Sequence, residues 1–565
     1  MRIIARHSRT RTITASAVLA LLSWLPLGLA GVPLDTPDGF LHLGWAVGWA
    51  KAIEGGWLWP TWSDLQWAGA GSNALLIYPP LFRLFVGIPL VAGVAPDHGL
   101  ASSLLIVILL NAVGAALLAE QWLRKARWRF ILVLGAILNP YFLVNLYIRG
   151  AWPEALAQAL LWWLALGFWG LEKDIRWGWP LAGVALAGIV LSNWNAALLT
   201  GIAWLAAGVF LLRRRAWKGW CWSCALGLGL SLPFWGPALI ALPTVRPPMP
   251  EGLLPDEFFG SEDRGYRPFS ALLWIQALAI ALLTIWRWIG WRGRGLSAVG
   301  RWGTILAMGS VLMTLSLSEP IYDVITPLQR IQFPWRWLGL GWFGVLLMLG
   351  STGEEPSRQW QGRLTALWLL GVAAAGCWVD GLWRFRSNLW GHGPSHSESV
   401  ALRQLFQCDP LMACPAGVNA LPQQGELAKR FVALPDGRIA LSGVPDYSPK
   451  TVPEHAWNRR LAIFWLPAWP QQQWAQLDVP GNVEITSHGP RHRLITASPA
   501  KDGGLRIMQW AHKDWKISVY AKDQDGKETL TRSISSKDST DKKGWIWVPL
   551  EKGNWKILLE HRWFR

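Results

Sequence analysis

Three short stretches hold residue types that could do chemistry, each at the edge of an apolar segment. The first is Leu34-Asp35-Thr36-Pro37-Asp38-Gly39-Phe40-Leu41-His42. Asp38 and His42 are four positions apart, so a helix starting near Asp38 puts both on one face. A carboxylate so placed can take a proton from a hydroxyl, and His42 can orient it or meet a phosphate. Capping that helix is the other role that suits Asp38. The second stretch is Asn145-Leu146-Tyr147-Ile148-Arg149-Gly150-Ala151-Trp152-Pro153-Glu154. Pro153 suits the first turn of a helix, and Glu154 then faces the favourable end of its dipole. Arg149 can aim at an anionic group, or pair with Glu154 across a helix hairpin. The third is Gln329-Arg330-Ile331-Gln332-Phe333-Pro334-Trp335-Arg336-Trp337. Its two arginines offer guanidinium forks to a phosphate, or reach along the lipid towards headgroups.

The elements that must position these residues are membrane helices. Of 565 residues, 52% are hydrophobic and 16% charged, and mean hydropathy is +0.24. That composition excludes a disordered or fibrous chain. A span takes about 20 apolar residues. Suitable runs occupy 13–31, 99–122, 130–148, 152–171, 178–192, 195–212, 218–242, 269–286, 303–318, 334–350 and 364–382. The 44 Trp fit the many interfacial rings such a bundle needs. The first run follows Arg2, Arg6, Arg9 and Arg11 and reads as a retained helix, not a cleaved signal.

Basic loops at 124–129, 173–176, 213–218, 287–301 and 358–363 all fall on the N-terminal side if the helices alternate. The first outer loop, 32–98, must then begin and end outside. Within it the apolar stretch 75–95, broken by Pro79, Pro80 and Pro89, is re-entrant or interfacial. The fold class is thus mainly α, a polytopic membrane protein of about 11–13 transmembrane helices. The net charge of +17 orients the chain in the bilayer, and nucleic acid is not an expected partner.

Composition shifts near residue 383, giving two expected domains, 1–382 in the membrane and 383–565 outside it. The second is read as a β-sandwich, from alternating patterns at 460–466, 492–497, 515–521, 545–550 and 555–560. Turn signals at Asp523–Gly526 and Lys552–Asn554 separate some of them. Its tryptophans either fill the sandwich core or offer faces to a glycan. Cys408 and Cys414 could bond if this region is extracytoplasmic. Cys221 and Cys224, in an apolar run, read as small buried hydrophobes.

Asp38-x-x-x-His42, Trp59-Pro60-x-Trp62, Tyr78-Pro79-Pro80-Leu81, Tyr147-x-Arg149-Gly150-Ala151-Trp152-x-Glu154 and Gln332-Phe333-Pro334-Trp335-Arg336 occur in that order. Together they resemble the bacterial multi-pass membrane proteins labelled "6-pyruvoyl-tetrahydropterin synthase-related", over roughly residues 10–382. No three-histidine zinc set supports the chemistry in that label. The family is similar to GT-C glycosyltransferases, which carry a catalytic acid in the first outer loop and use polyprenyl-phosphate sugars. The resemblance implies an inverting sugar transfer from such a donor to an extracytoplasmic glycan or protein acceptor, in the bacterial inner membrane. The N-terminus would be cytoplasmic and the C-terminal domain extracytoplasmic. Asp38 and His42 would be catalytic, and Tyr78, Arg149, Glu154, Arg330 and Arg336 would bind the substrate phosphate. No cofactor is required by it. A divalent cation, Mg or Mn, stays open, with Asp35 and Asp38 as the pair to hold it. A non-catalytic assembly protein for envelope polymers, and a transporter or flippase, are the alternative classes. The spans are almost free of charge at their centres, and Asn111, Gln158 and Gln276 are the main polar exceptions, which gives ion coupling little to work with.

Overall fold

The computed structural model describes residues 2–30, 32, 36, 38–63, 71–123, 125–245, 267–290, 297–331, 333–351, 431–433, 439–441, 475–488, 491–523, 525–541 and 545–562. The N-terminal part is helical. It runs α1 (Arg2–Ala30), α2 (Gly39–Glu54), the single turn α3 (Ala74–Ile77), α4 (Leu81–Val91), α5 (Pro96–Trp122) and α6 (Ala126–Ile137). Next come the single turn α7 (Pro140–Leu143), a π-helical turn over Val144–Arg149, then α8 (Trp152–Glu172), α9 (Gly178–Ser192) and α10 (Trp194–Phe210). Last are α11 (Trp217–Ala241), α12 (Arg267–Gly290), α13 (Ala298–Thr314), the short α14 (Glu319–Val324) and α15 (Thr326–Gln329), and α16 (Leu338–Gly350).

Among the described residues, 5 helical stretches are long and apolar enough to cross a membrane: Thr12–Leu29, Pro96–Trp122, Trp128–Arg149, Trp152–Glu172 and Arg214–Thr244. Others, such as Gly178–Ser192 and Trp194–Phe210, are apolar but shorter. Leu228, Leu230 and Ile240 of α11 and Ile275, Leu278 and Ile285 of α12 are all exposed. Such apolar faces suit lipid and not water. The chain is a multi-pass membrane protein. Each expected run but one falls on one of these helices. The run at 364–382 lies outside the described residues.

The helices pack through small residues, as bilayer-embedded helices do. A Cβ on Gly303 of α13 would lie 2.6 Å from the Gly344 carbonyl of α16, and one on Gly344 would lie 2.5 Å from the Gly303 carbonyl. Two of the buried amides are pinned by neighbouring helices. Asn111 donates to the Ala136 carbonyl at 2.8 Å and accepts from the Trp162 indole at 2.9 Å, and Gln276 accepts from the Trp342 indole at 3.0 Å. The run expected at 303–318 starts earlier because Ser297 caps α13, accepting from the Gly300 amide at 3.2 Å. Helix α4 has 11 residues. At 1.5 Å per residue that is about 16 Å, half the hydrocarbon thickness.

The C-terminal part is antiparallel β. Strands β1 (Phe431–Ala433) and β2 (Ile439–Leu441) pair with each other. The rest are β3 (Ala475–Leu477), β4 (Gly481–His488), β5 (His492–Pro499), β6 (Gly503–Trp510), β7 (Trp515–Lys522), β8 (Glu528–Ser535), β9 (Trp545–Leu550) and β10 (Asn554–His561). They form a 5-stranded sheet, β4-β5-β10-β7-β8, and a 3-stranded sheet, β3-β6-β9. Ile495, Val519, Ile557 and Leu559 of the first sheet share one core with Leu505, Ile507 and Val548 of the second. That is a sandwich. Trp510, Trp515 and Trp545 are buried in it, the first and last stacked at 3.9 Å, so these rings serve the core. The domain boundary near 383, the strand expected at 460–466, and Cys408 and Cys414 lie outside the described residues. Cys221 is exposed and Cys224 half-buried, both as free thiols on α11.

Candidate active site

The site is built where the start of α2 meets the break between the π-turn and α8. Asn139 caps α7 by accepting from the amides of Tyr141 and Phe142 at 3.0 and 3.3 Å. The chain then widens into the π-turn, a feature that often marks functional sites. Gly150 ends it with φ +67. A Cβ there would lie 2.1 Å from Thr36 Oγ1 and 2.7 Å from the Gly39 nitrogen, so only glycine allows the first loop this close. The contact is sealed by the Asp38 amide, which donates to the Arg149 carbonyl at 2.9 Å. Trp152, fully buried, donates to the Leu146 carbonyl at 3.1 Å and fixes the turn into α8.

This geometry gathers seven charged and polar side chains. Arg149 Nη1 donates to Asn145 Oδ1 at 2.7 Å and to Glu154 Oε2 at 3.0 Å. Its Nη2 reaches Asp38 Oδ2 at 3.5 Å. Tyr141 donates its hydroxyl to Glu154 Oε1 at 2.8 Å. Arg336, from the 3-10 turn Pro334–Trp337, brings Nη1 to 3.8 Å from Glu154 Oε2. Trp335 of the same turn lies under the Arg149 guanidinium at 4.7 Å, and Phe333 under that of Arg336 at 5.3 Å. Asn195, with its amide oxygen turned towards Arg336, accepts from Arg336 Nη1 and donates to the Arg330 carbonyl at 3.0 Å.

Burial separates the two acids. Arg149, Glu154 and Arg336 are buried, whereas the Asp38 side chain keeps 35% of its surface exposed. Asp38 sits at the N-cap position of α2, but its side chain makes no capping hydrogen bond. Its carboxylate is therefore the accessible acid of the cluster, while Glu154 is committed to two guanidiniums and a phenol.

His42, one turn along α2, is buried against Trp45 (5.4 Å), Tyr78 (5.5 Å), Trp152 (6.2 Å) and Phe82 (6.3 Å). Burial pushes its imidazole down to about 4, with Asp38 opposing and Arg149 assisting, so it is neutral at pH 7. The Tyr78 ring packs tilted against Trp45 at 4.4 Å, and its hydroxyl accepts from Asn193 Nδ2 at 3.5 Å. Burial, reinforced by the Asp38 charge, raises that phenol above its ordinary range.

The structure thus brings Asp38, His42, Tyr78, Arg149, Glu154 and Arg336 into one neighbourhood. Arg330 is exposed and linked to it through its carbonyl. Asp35 lies outside the described residues. The motifs did not single out Tyr141, Asn145, Trp335 or Asn195. Asn145 and Trp335 were inside the quoted stretches, Asn193 was legible as an amide in the break between two apolar runs, and Asn195 opened the second of them. Tyr141 had no signal. Among the described residues, no three His, Cys, Asp or Glu side chains lie together as metal ligands. Glu154 faces cations already, so Asp38 and Glu154 do not make a divalent-cation site.

No family model and no curated protein matches the chain. Among solved structures, it is similar to the mycobacterial arabinofuranosyltransferase AftD, with a TM-score of 0.45 at 15% identity, over 98% of this chain and 60% of that one. It is also similar to ArnT from Cupriavidus metallidurans bound to undecaprenyl phosphate, with a TM-score of 0.43 at 12% identity, over 70% of this chain and 73% of that one. A third similarity is to the arabinosyltransferase EmbB from Mycobacterium smegmatis, with a TM-score of 0.37 at 11% identity, over 98% of this chain and 64% of that one. The chain therefore spans less than two thirds of the length of AftD and of EmbB.

Proposed function

We propose that the protein is a membrane glycosyltransferase of GT-C type, moving a sugar from polyprenyl phosphate to an acceptor hydroxyl at the extracytoplasmic face of the bacterial inner membrane. One observation carries this reading: an accessible carboxylate, Asp38, stands 3.5 Å from a guanidinium in a buried cationic cluster at the ends of apolar helices. Asp38 accepts the proton of the acceptor hydroxyl. The acceptor oxygen bonds to the anomeric carbon as the bond from that carbon to the phosphate oxygen breaks. The electron pair of that bond leaves with the phosphate, and the configuration inverts.

The charges support this choice of donor. Asp38 and Glu154 balance Arg149 and Arg336, His42 is neutral, and the exposed Arg330 adjoins the cluster through its carbonyl. A polyprenyl-phosphate sugar is a phosphodiester with a single negative charge. Arg336 and Arg330 are the residues to meet that charge as it grows on the leaving oxygen, with Arg149 behind them. The neutral His42 orients Asp38, and Tyr78 offers a hydroxyl to the sugar or the phosphate. The N-terminus is cytoplasmic and the sandwich extracytoplasmic in this reading.

The test is release of polyprenyl phosphate from a panel of polyprenyl-phosphate sugars by the detergent-purified protein. General-base assistance contributes about 10²–10⁴-fold, so Asp38→Asn should lose that much turnover and keep donor binding by native mass spectrometry. Turnover within a few-fold of wild type removes Asp38 as the base. A wild type that binds no donor lipid points instead to a non-catalytic assembly protein.

A further inference from the structure

The loop that starts at Asp38 does not end its packing at the site. Its two ends, Asp38–Trp45 and Ala74–Tyr78, lie together, joined by the ring contacts of His42 and Trp45 with Tyr78 at 5.5 and 4.4 Å. Its middle is elsewhere. Ala52, Trp57 and Trp62 belong to the hydrophobic core of the β-sandwich, not to that of the helices. Trp62 is 1% exposed and touches His512, Trp515 and His561, each at 5.8 Å. Trp57 meets His561 at 4.9 Å. Gly71 takes φ +86 so that the Trp62 indole can lie across it, where a Cβ would be 2.1 Å from Nε1. Ser63 and Ser72 close the loop with a reciprocal pair of amide hydrogen bonds at 2.8 and 2.9 Å. Beside it, His512 Nε2 meets Thr244 Oγ1 at 3.3 Å, tying the sandwich to the 3-10 turn that follows α11.

Between these two ends runs α2, of 16 residues. It is a rod about 24 Å long. We infer that the β-sandwich is the far anchor of this rod, and that Trp62 is a positioning residue through which the sandwich holds Asp38 and His42 in the site. A helix gripped at both ends keeps its first turn in register. Released at the far end, it keeps its side packing on α4, where Leu43 and Ala46 share a core with Phe82 and Val86, and at Asp38 itself one backbone hydrogen bond and one long ion pair.

The test compares Trp62→Ala, Trp62→Phe and Trp59→Ala in the full chain by amide hydrogen exchange. Trp59 is in the same loop but 47% exposed, so it controls for loop disturbance. Trp62→Ala should speed exchange in α2 and at residues 74–78 by about tenfold or more, Trp62→Phe should largely restore protection, and Trp59→Ala should change nothing. Should the alanine variant not fold, Trp62→Leu serves the same comparison. Unchanged α2 protection, or an equal effect from Trp59→Ala, overturns the inference. A second readout rests on the sugar-transfer reading: kcat should fall about 10–100-fold in Trp62→Ala with donor KM unchanged, because Arg330 and Arg336 sit on another segment. An inactive wild type would count against the transfer reading alone, since the exchange result stands without it.

Discussion

Glu154 gives the sharpest test of how the site is held. Its Oε2 lies 3.0 Å from Arg149 Nη1 and 3.8 Å from Arg336 Nη1, and its Oε1 accepts from Tyr141 at 2.8 Å. In Glu154→Gln the phenol can still donate to the amide oxygen. The second oxygen becomes an NH2 group aimed at two guanidiniums, and both lose their buried counter-charge. Coulomb attraction at an effective dielectric of about 20 gives about 5 and about 4 kcal/mol for the two pairs before desolvation. Burying the carboxylate offsets several kcal/mol of that, which leaves a net loss of about 3–5 kcal/mol for breaking such a pair from one side. Equilibrium unfolding in mixed micelles would measure it for Glu154→Gln, Arg149→Met and the double variant. The double variant removes both the stranded charge and its partner. It should be less destabilised than the sum of the singles by about 1–3 kcal/mol. Additive singles, or a Glu154→Gln loss below about 1 kcal/mol, would show the cluster to be hydrated and loosely held, and would refute the reasoning.

The remaining predictions concern the loop junction and acid. Gly150→Ala places a side chain at φ +67 and within 2.1 Å of Thr36 Oγ1, so it should cost about 2–5 kcal/mol and pull Asp38 away from Arg149. A melting curve like that of wild type would mean the first loop is not docked there. His42 is held neutral at about 4, against an ordinary value of 6.5. The unfolded chain therefore binds the extra proton first, and stability should fall as pH drops from about 6.5 towards 4, by about 3 kcal/mol in all. His561 acts in the same direction, because burial, with His512 and Arg491 nearby, holds it well below the usual histidine range. His42→Gln and His561→Gln should each flatten the acid limb of unfolding measured against pH. A limb unchanged in both variants would contradict the assignment.

Much of this architecture was legible because long apolar runs leave a chain few choices. The spans at 152–171 and 178–192 match α8 and α9 almost residue for residue. Strands were legible where one face is dry, as in β5, β7, β9 and β10. β8 was not, because most of its side chains are exposed and carry no alternation. β4 and β6 were hidden too, their alternation interrupted by bulges at Ile485/Ser487 and Ile507/Trp510. At the site, Asp38, His42, Arg149, Glu154 and Arg336 could be named from charge and spacing in otherwise apolar surroundings. Of the partnerships expected for Arg149, the ion pair with Glu154 across the helix hairpin is formed, at 3.0 Å. Tyr141, Asn195 and the capture of Trp62 by the sandwich depend on which helices and sheets become neighbours, and no local pattern encodes that.

The π-turn at Val144–Arg149 makes chain length part of the site's specification. Each residue of an ordinary helix turns the chain by about 100°. Deleting one residue between Asn139 and Gly150 would let the segment relax to α-helix and carry the Arg149 guanidinium a quarter-turn or more away from Glu154 and Asp38. Point substitutions there leave the winding alone, but insertions and deletions do not. A homologous chain with every motif residue intact and one residue fewer in this interval would keep the letters of the site and lose its shape.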